Sequence, residues 1–481
     1  MASLNKGDRV KIKITDVTVE GVGVGTAVSH EDSRKVFCFG AREGDTEEVK
    51  VIKSASSYIV AKRDEGVSSP ECVSYPACGG CSLLHFSYPE SLKIKEKFVR
   101  DCLTRIARLE EGSFEFEPIV PSPAKLAFRN KNIYRFIRTS NGIECGFYRR
   151  NSHDVVVTPR CATENGASRK VRESFSKIAT GAGLSLYDES TGKGLLRSLM
   201  VRVSSLTGEA CVCVCVNGEK LPHAEEIARR IENECGFPVS FSLNVNRDRT
   251  NTVFSDDFRH VYGPPVIKDR IGEAVFEISP ASFFQVNPSA TEKLYAKAFE
   301  YAAPGENGGV LLDLYCGIGT IGIYFAKKCP SLKGLLGIEW TPQAVENARR
   351  NVALNGIECE SAFFSGDAQH VLESINNGCD GNAARMLDDV KTVVVDPPRK
   401  GLGDEIPAML SAVNADRIVY VSCNPATLAR DIERFTSLGW RTVKVCPVDM
   451  FPFAGHVETV CCLHRQKNDF ISVPYEPKDV E

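Results

Sequence analysis

No stretch of about 18 consecutive apolar residues, the length a helix needs to cross a bilayer, occurs in this chain. A helical membrane span is therefore not expected. The opening residues Met1 to Arg9 carry charges but no apolar run, so no secretory leader is expected and the chain reads as cytoplasmic. An excess of one charge is lacking too. The formal net charge is −3, so any surface for nucleic acid must be a local patch. Internal repeats are absent. The phrase Gly21-Val22-Gly23-Val24-Gly25 lacks the following helix and lysine of a phosphate-cradling loop, and reads as a strand with close backbone approach.

What is present is a chain of 481 residues, which predicts two to four domains. Hydrophobic content of 43% and charged content of 25% are those of a globular protein. Cysteine is abundant, with 19 residues. Without a leader, metal ligation, catalysis or core packing explain these better than disulfides. Cys211-Val212-Cys213-Val214-Cys215-Val216 reads as a buried strand in which cysteine acts as a small hydrophobe.

Short alternating strands with glycine turns from Gly7 to Lys62 predict a small, closed or nearly closed β-barrel. A loop rich in cysteine, glycine and proline runs from Asp64 to Pro89. Helical spacing follows over 90–111 (Leu92, Phe98, Val99, Cys102, Leu103, Ile106, Leu109), in a helix that could pack on the catalytic domain. Residues Phe128 to Val266 read as mixed α+β. From Ala281 onward, apolar runs alternate with amphipathic stretches, as in a parallel sheet covered by helices. The expected division is 1–64, 65–280 and 281–470. The polar insert Asn376 to Asp389 reads as a surface loop.

Four apolar strands in the last region end in acids. Val310 to Leu314 carries Asp313 and runs into the turn Tyr315-Cys316-Gly317-Ile318-Gly319-Thr320. Leu335 to Glu339, Ala362 to Asp367 and Thr392 to Asp396 follow. Glycines let backbone approach a ligand, and a helix N-terminus offers free N–H groups. Acids at strand carboxyl ends can accept hydrogen bonds from ribose hydroxyls, although each alone could be a helix cap. The turn departs from the dinucleotide pattern and resembles that of the class I S-adenosylmethionine methyltransferases. That resemblance puts Asp313, Gly317, Gly319, Glu339 and Asp367 at cofactor positions.

Ile418 to Ser422 is another buried strand, ending at Cys423 just before a helix. A thiol near a helix N-terminus can have a lowered pKa, which favours thiolate. Thiolate chemistry suits uracil: addition at C6 makes C5 nucleophilic, and a base must then remove the C5 proton. Glu458, which opens an apolar strand at 458–463, is a candidate base in surroundings that can raise its pKa.

Asp-Pro-Pro-Arg at 396–399, Ser-Cys-Asn-Pro at 422–425 and His-Val-Glu-Thr at 456–459 resemble the RNA 5-methyluridine methyltransferases. The resemblance covers nearly the whole chain. It implies Cys423 as nucleophile and Glu458 as base. Gln285, Tyr315 and Thr320 would be cofactor contacts, with Asp396 at the junction of cofactor and uracil. It further implies a TRAM-type, OB-like barrel over 1–64, a central RNA-binding domain over 65–280 and a Rossmann-like methyltransferase domain over 281–470. Asp-Pro-Pro-Arg differs from the Asn-Pro-Pro-Tyr of amino-group methyltransferases. Ser-Cys-Asn-Pro differs from the proline-cysteine setting of cytosine-C5 enzymes.

Cys72, Cys78 and Cys81 form a Cys-x5-Cys-Gly-Gly-Cys group, and Cys161 follows a strand. Spacing alone leaves zinc and iron–sulfur open. Family members with this pattern carry a 4Fe–4S cluster, and the resemblance assigns these four as its ligands. Phe128 to Arg138 and Gly146 to Arg150 interleave cations with aromatics, as a single-strand RNA surface would. The resemblance favours large-subunit rRNA as substrate, with tRNA second. A non-catalytic RNA-binding protein is the reading from another class, and the presence of both Cys423 and Glu458 argues against it.

Overall fold

The computed structural model describes residues 3–28, 30–250, 252–304 and 308–466, so the outermost residues of the expected 1–64 and 281–470 stretches lie outside the described residues. Five strands, β1 (Arg9–Val17), β2 (Val22–Ala27), β3 (Lys35–Phe39), β4 (Thr46–Ser54) and β5 (Tyr58–Lys62), close into a barrel in the order β1-β2-β3-β5-β4. Period-two alternation turns Val10, Ile12 and Ile14 inward with Val36, Cys38, Val49 and Ile59.

Helix α1 (Tyr88–Arg105) starts with a capping box of Ser87 and Glu90. It ends at Arg105, short of the expected 111. Val99, Cys102 and Leu103 join the apolar core of the carboxyl-terminal sheet. Strand β6 (Glu115–Phe116) pairs with that sheet's edge.

The central sheet comprises β7 (Lys131–Thr139), β8 (Gly142–Tyr148), β9 (Val155–Val157), β10 (Leu196–Val203), β11 (Ala210–Val216), β12 (Val239–Val245) and β13 (Phe258–Tyr262), in the order β13-β12-β11-β10-β7-β8-β9. Helices α2 (Gly166–Gly181) and α3 (Ala224–Cys235) cover one face. All seven residues of β11 are buried, its three cysteines included. The hairpin β14 (Ile267–Ile271) and β15 (Ala274–Ile278) packs into the core of the last region.

That region holds α4 (Pro288–Ala302), β16 (Val310–Leu314), α5 (Thr320–Lys328), β17 (Gly334–Glu339), α6 (Pro342–Leu354), β18 (Glu360–Ser365), α7 (Ala368–Asn376), α8 (Gly381–Asp388), β19 (Val390–Val395), α9 (Ile406–Ala412), β20 (Arg417–Ser422), α10 (Pro425–Ser437), β21 (Trp440–Val448) and β22 (Glu458–Arg465). The sheet order is β18-β17-β16-β19-β20-β22-β21-β6. Strands β16 to β20 run parallel, and β22 is antiparallel to β20 and β21. Both faces are covered, which is why these strands read as continuous apolar runs. Leu311, Leu335 and Val394 face α4 and α5, whereas Leu312, Leu336 and Val393 face α7 to α10.

The expected surface loop at 376–389 is mostly helix. Asp380 caps α8 through the N–H groups of Asn382 and Ala383, and Ala383, Met386 and Leu387 bury one face at helical spacing. Its polar composition hid a narrow apolar stripe. Among the described residues, no helix is long and apolar enough to cross a membrane.

Candidate active site

The carboxyl ends of five parallel strands and the amino end of β22 place the candidate residues in a row. Along the rim, in sheet order, stand Asp367 after β18, Glu339 on β17, Asp313 on β16, Asp396 after β19, Cys423 after β20 and Glu458 on β22. In the β20–β22 ladder Val421 faces Val460 and Ser422 faces Thr459, so the next step sets Cys423 opposite Glu458. Parallel strands deliver their carboxyl ends to one edge, which is where such sheets take ligands.

At one end of the row the glycine turn leaves β16 through Tyr315 and Gly317, both left-handed, at φ +65° and +57°. A β-carbon on Gly317 would meet nothing within 4 Å, so open space lies in front of the turn. Glu339 closes the turn: Oε2 accepts from the Gly317 N–H at 3.1 Å and Oε1 from the Thr341 N–H at 2.9 Å. Asp313 is fully buried; Oδ2 accepts from the Gly322 N–H at 2.9 Å, and Oδ1 has no hydrogen-bond partner among the described residues. Burial pushes Asp313 up to about 7, with Asp396 and Glu339 adding to the shift and the Gly322 hydrogen bond opposing it. An open cradle beside an orphaned buried acceptor is the chemistry of a site that takes a polar ligand. The Thr320 hydroxyl lies 2.8 Å from Tyr295 on α4. The Asp367 Oδ1 caps α7, accepting from Gln369 at 3.0 Å and His370 at 3.3 Å. Gln285 is buried in a segment whose backbone is bonded by Asn130.

At the other end the three tetrads are hydrogen-bonded into one unit. Asn424 caps α10 and donates from Nδ2 to the Arg399 carbonyl at 3.0 Å. The Arg399 guanidinium lies 3.2 Å from Nε2 of His456. Cys423 is half-buried and Glu458 is 3% exposed. Burial pushes Glu458 up to about 8, helped by Asp396 and opposed by Arg399. Asp396 is pushed up to about 7 by burial.

The expectation of a lowered thiol pKa at Cys423 is corrected. Burial, then Glu458 and Asp396, push the thiol up to about 11, against a smaller opposing effect of Arg399. Desolvation and two carboxylates outweigh the helix N-terminus, whose field fades within one turn.

A stability prediction follows from Glu458. Folding raises its pKa from 4.5 to about 8, so its stabilising contribution is complete below 4.5 and lost as pH rises through 8. Glu458→Gln should therefore be the more stable protein at pH 9, by about 1–3 kcal/mol. The two should converge near pH 4. Denaturant titrations at both pH values check this, and equal stability at pH 9 would contradict it.

The family model described as tRNA (Uracil-5-)-methyltransferase matches residues 245–466. A protein of Caldanaerobacter subterraneus named as an RNA methyltransferase is 36% identical over 474 residues, 97% of this chain and 100% of its own. One of Halalkalibacterium halodurans with the same kind of name is 35% identical over 469 residues, 96% of this chain and 98% of its own. The chain belongs to the RNA uracil-5-methyltransferase family. A solved relative, the Pyrococcus abyssi tRNA (uracil-54, C5)-methyltransferase in complex with S-adenosyl-L-homocysteine, superposes with a TM-score of 0.69. It is 27% identical and covers 94% of this chain and 100% of its own. Methyl transfer to RNA is thus the activity that this methyltransferase shares with its named relatives.

Elsewhere in the methyltransferase, Cys72, Cys78, Cys81 and Cys161 line one cavity of about 350 Å3, with Arg129, Lys131 and Phe283 on its wall. All four are free thiols. Among the described residues, no group of three or more His, Cys, Asp and Glu is placed to hold a metal ion.

The expected interleaving of cations and aromatics is also corrected. Period two on β7 sends Tyr134 and Phe136 into the core, while Lys131 and Arg135 take the opposite face. Arg135 lies over the Tyr148 ring at 5.0 Å, and Phe283 is 66% exposed.

Sequence reasoning missed one feature beside the site. Lys95 and Asp449 form a fully buried ion pair at 2.6 Å that joins α1 to the end of β21. A lysine between Leu92 and Val99 on an apolar stripe was the signal.

Proposed function

We propose that this enzyme methylates C5 of a uridine in a folded RNA through a covalent intermediate, with Cys423 as nucleophile and Glu458 as base. The reading is carried by the β20–β22 register, whose last pair, Ser422 and Thr459, leaves Cys423 and Glu458 next in line, with Asp396 at the end of the adjoining β19. The sulfur of Cys423, once deprotonated, bonds to C6 of the uracil. The C5–C6 π electrons then make C5 an enolate carbon that takes the methyl group. Glu458 removes the C5 proton, the double bond re-forms, and the sulfur departs as thiolate. When bound, the cofactor supplies the methyl group and a positive sulfonium charge that offsets the carboxylates holding the Cys423 thiol protonated. Asp313, Gly317, Gly319, Glu339, Asp367, Tyr315, Thr320 and Gln285 would hold it, and Asp396 would stand between it and the uracil. A buried thiol can reach only a base that has left its stack, so the uridine is flipped or looped out.

In the same proposal Cys72, Cys78, Cys81 and Cys161 hold a 4Fe–4S cluster. The support is that all four line one cavity. The barrel is read as a TRAM domain that helps to hold RNA, and the enzyme as cytoplasmic. Large-subunit rRNA is the favoured substrate. Transfer RNA is the second reading, favoured by the name of the Pyrococcus relative.

Trapping tests the proposal. RNA carrying 5-fluorouridine has no C5 proton to lose, so the protein and cofactor should form a denaturation-resistant adduct with it. Sequencing the trapped RNA then identifies the substrate. Failure to trap any cellular RNA would end the covalent reading.

A further inference from the structure

Residues 449–457 link β21 to β22 and carry Glu458 into the site; His456 meets Arg399 at the rim, but other anchors of the segment come from outside the catalytic sheet. At the start, Asp449 pairs with Lys95, and Tyr88 donates its hydroxyl to Oδ2 at 2.9 Å. Lys95 also donates to the Phe451 carbonyl at 2.8 Å. In the middle, Phe453 is a non-glycine residue at φ +61°. Its carbonyl accepts two hydrogen bonds, from the N–H groups of Ser82 at 3.1 Å and Leu83 at 2.8 Å. Those are the two residues that follow Cys81. Further along, Gly455 sits against both neighbours: a β-carbon there would lie 2.6 Å from the Val19 carbonyl oxygen of the barrel and 3.0 Å from the Ser82 hydroxyl. A left-handed Phe persists only where its surroundings hold it.

We propose that the cysteine loop is a positioning element for the base: the Ser82 and Leu83 N–H groups, fixed by ligation of Cys81, hold the Phe453 carbonyl and so keep Glu458 facing Cys423. The inference rests on the proposed roles of Glu458 and of the four cysteines. It assigns no chemistry to the cluster. Releasing the two donors lets Phe453 relax to an ordinary φ, which shifts the segment that ends in Glu458. Addition and methyl transfer use Cys423, whereas only elimination uses Glu458. A released segment therefore stalls the reaction at the covalent adduct.

The test uses the full chain in two forms, wild type after iron chelation and Gly455→Ala with its cysteines untouched. Both should show roughly tenfold faster amide hydrogen exchange over 450–457 than untreated wild type. Both should still trap fluorouridine RNA, yet turn over ordinary RNA about tenfold more slowly while an adduct with it builds up. Unchanged exchange and turnover in Gly455→Ala would overturn the proposal. Parallel loss of trapping and turnover would overturn it too, because the loop would then support the whole fold and not the base. Two controls separate the readings beneath it. Iron-free protein as purified would end the cluster reading alone, leaving Gly455→Ala to decide the positioning. Normal turnover by Glu458→Gln would end the base reading whatever the exchange shows.

Discussion

Glu458→Gln is expected to convert the enzyme into one that methylates once and stops. Glutamine keeps the shape of the side chain but cannot take the C5 proton, so the step that frees the sulfur is lost. Turnover should fall by about 10^2–10^4-fold, the range of a missing general base. The diagnostic result is not the fall itself. Ordinary RNA should become bound to the protein through Cys423 and should already carry the methyl group. Wild type should show no such species at steady state, and its kcat should rise with pH through about 8 as Glu458 ionises. The variant should lose that rise. Gel analysis under denaturing conditions, with methyl-labelled cofactor, reads the adduct directly; a slow variant that forms none would argue for a structural role of Glu458.

Cys423→Ala should abolish both adduct and turnover, with activity below about 10^-4 of wild type, because it removes the sulfur that adds to C6. Cofactor affinity should change little. Cys423 lies beyond Asp396 from the glycine turn, two strands along the sheet from β16. Calorimetric titration with S-adenosylhomocysteine, beside a turnover assay, separates the two effects. Residual methylation of uracil C5 by this variant would assign the nucleophile elsewhere.

The sheet and its rim were legible because parallel strands buried on both faces give unbroken apolar runs, and each run here ends in a polar residue. The barrel was legible from period-two alternation between glycine turns. What joins the rim was not legible. Arg399 reaches His456 across 57 positions, and nothing in either tetrad announces the other. The thiol was misread because a helix N-terminus is visible in sequence, whereas burial of the thiol, and then the closeness of Glu458 and Asp396, are set by the fold. The helix at 381–388 was hidden by its polar surface, since only Ala383, Met386 and Leu387 mark its buried side. Phe453 gives no sign of its left-handed backbone. Its carbonyl takes donors from residues 82 and 83, far away in the chain.

The central claim is that one C5 hydrogen is exchanged for one methyl group. RNA labelled with tritium at C5 of uridine, incubated with the enzyme and carbon-labelled S-adenosylmethionine, tests it most directly. The account predicts tritium release to water matching methyl incorporation one for one. Methyl incorporation without tritium release would contradict it.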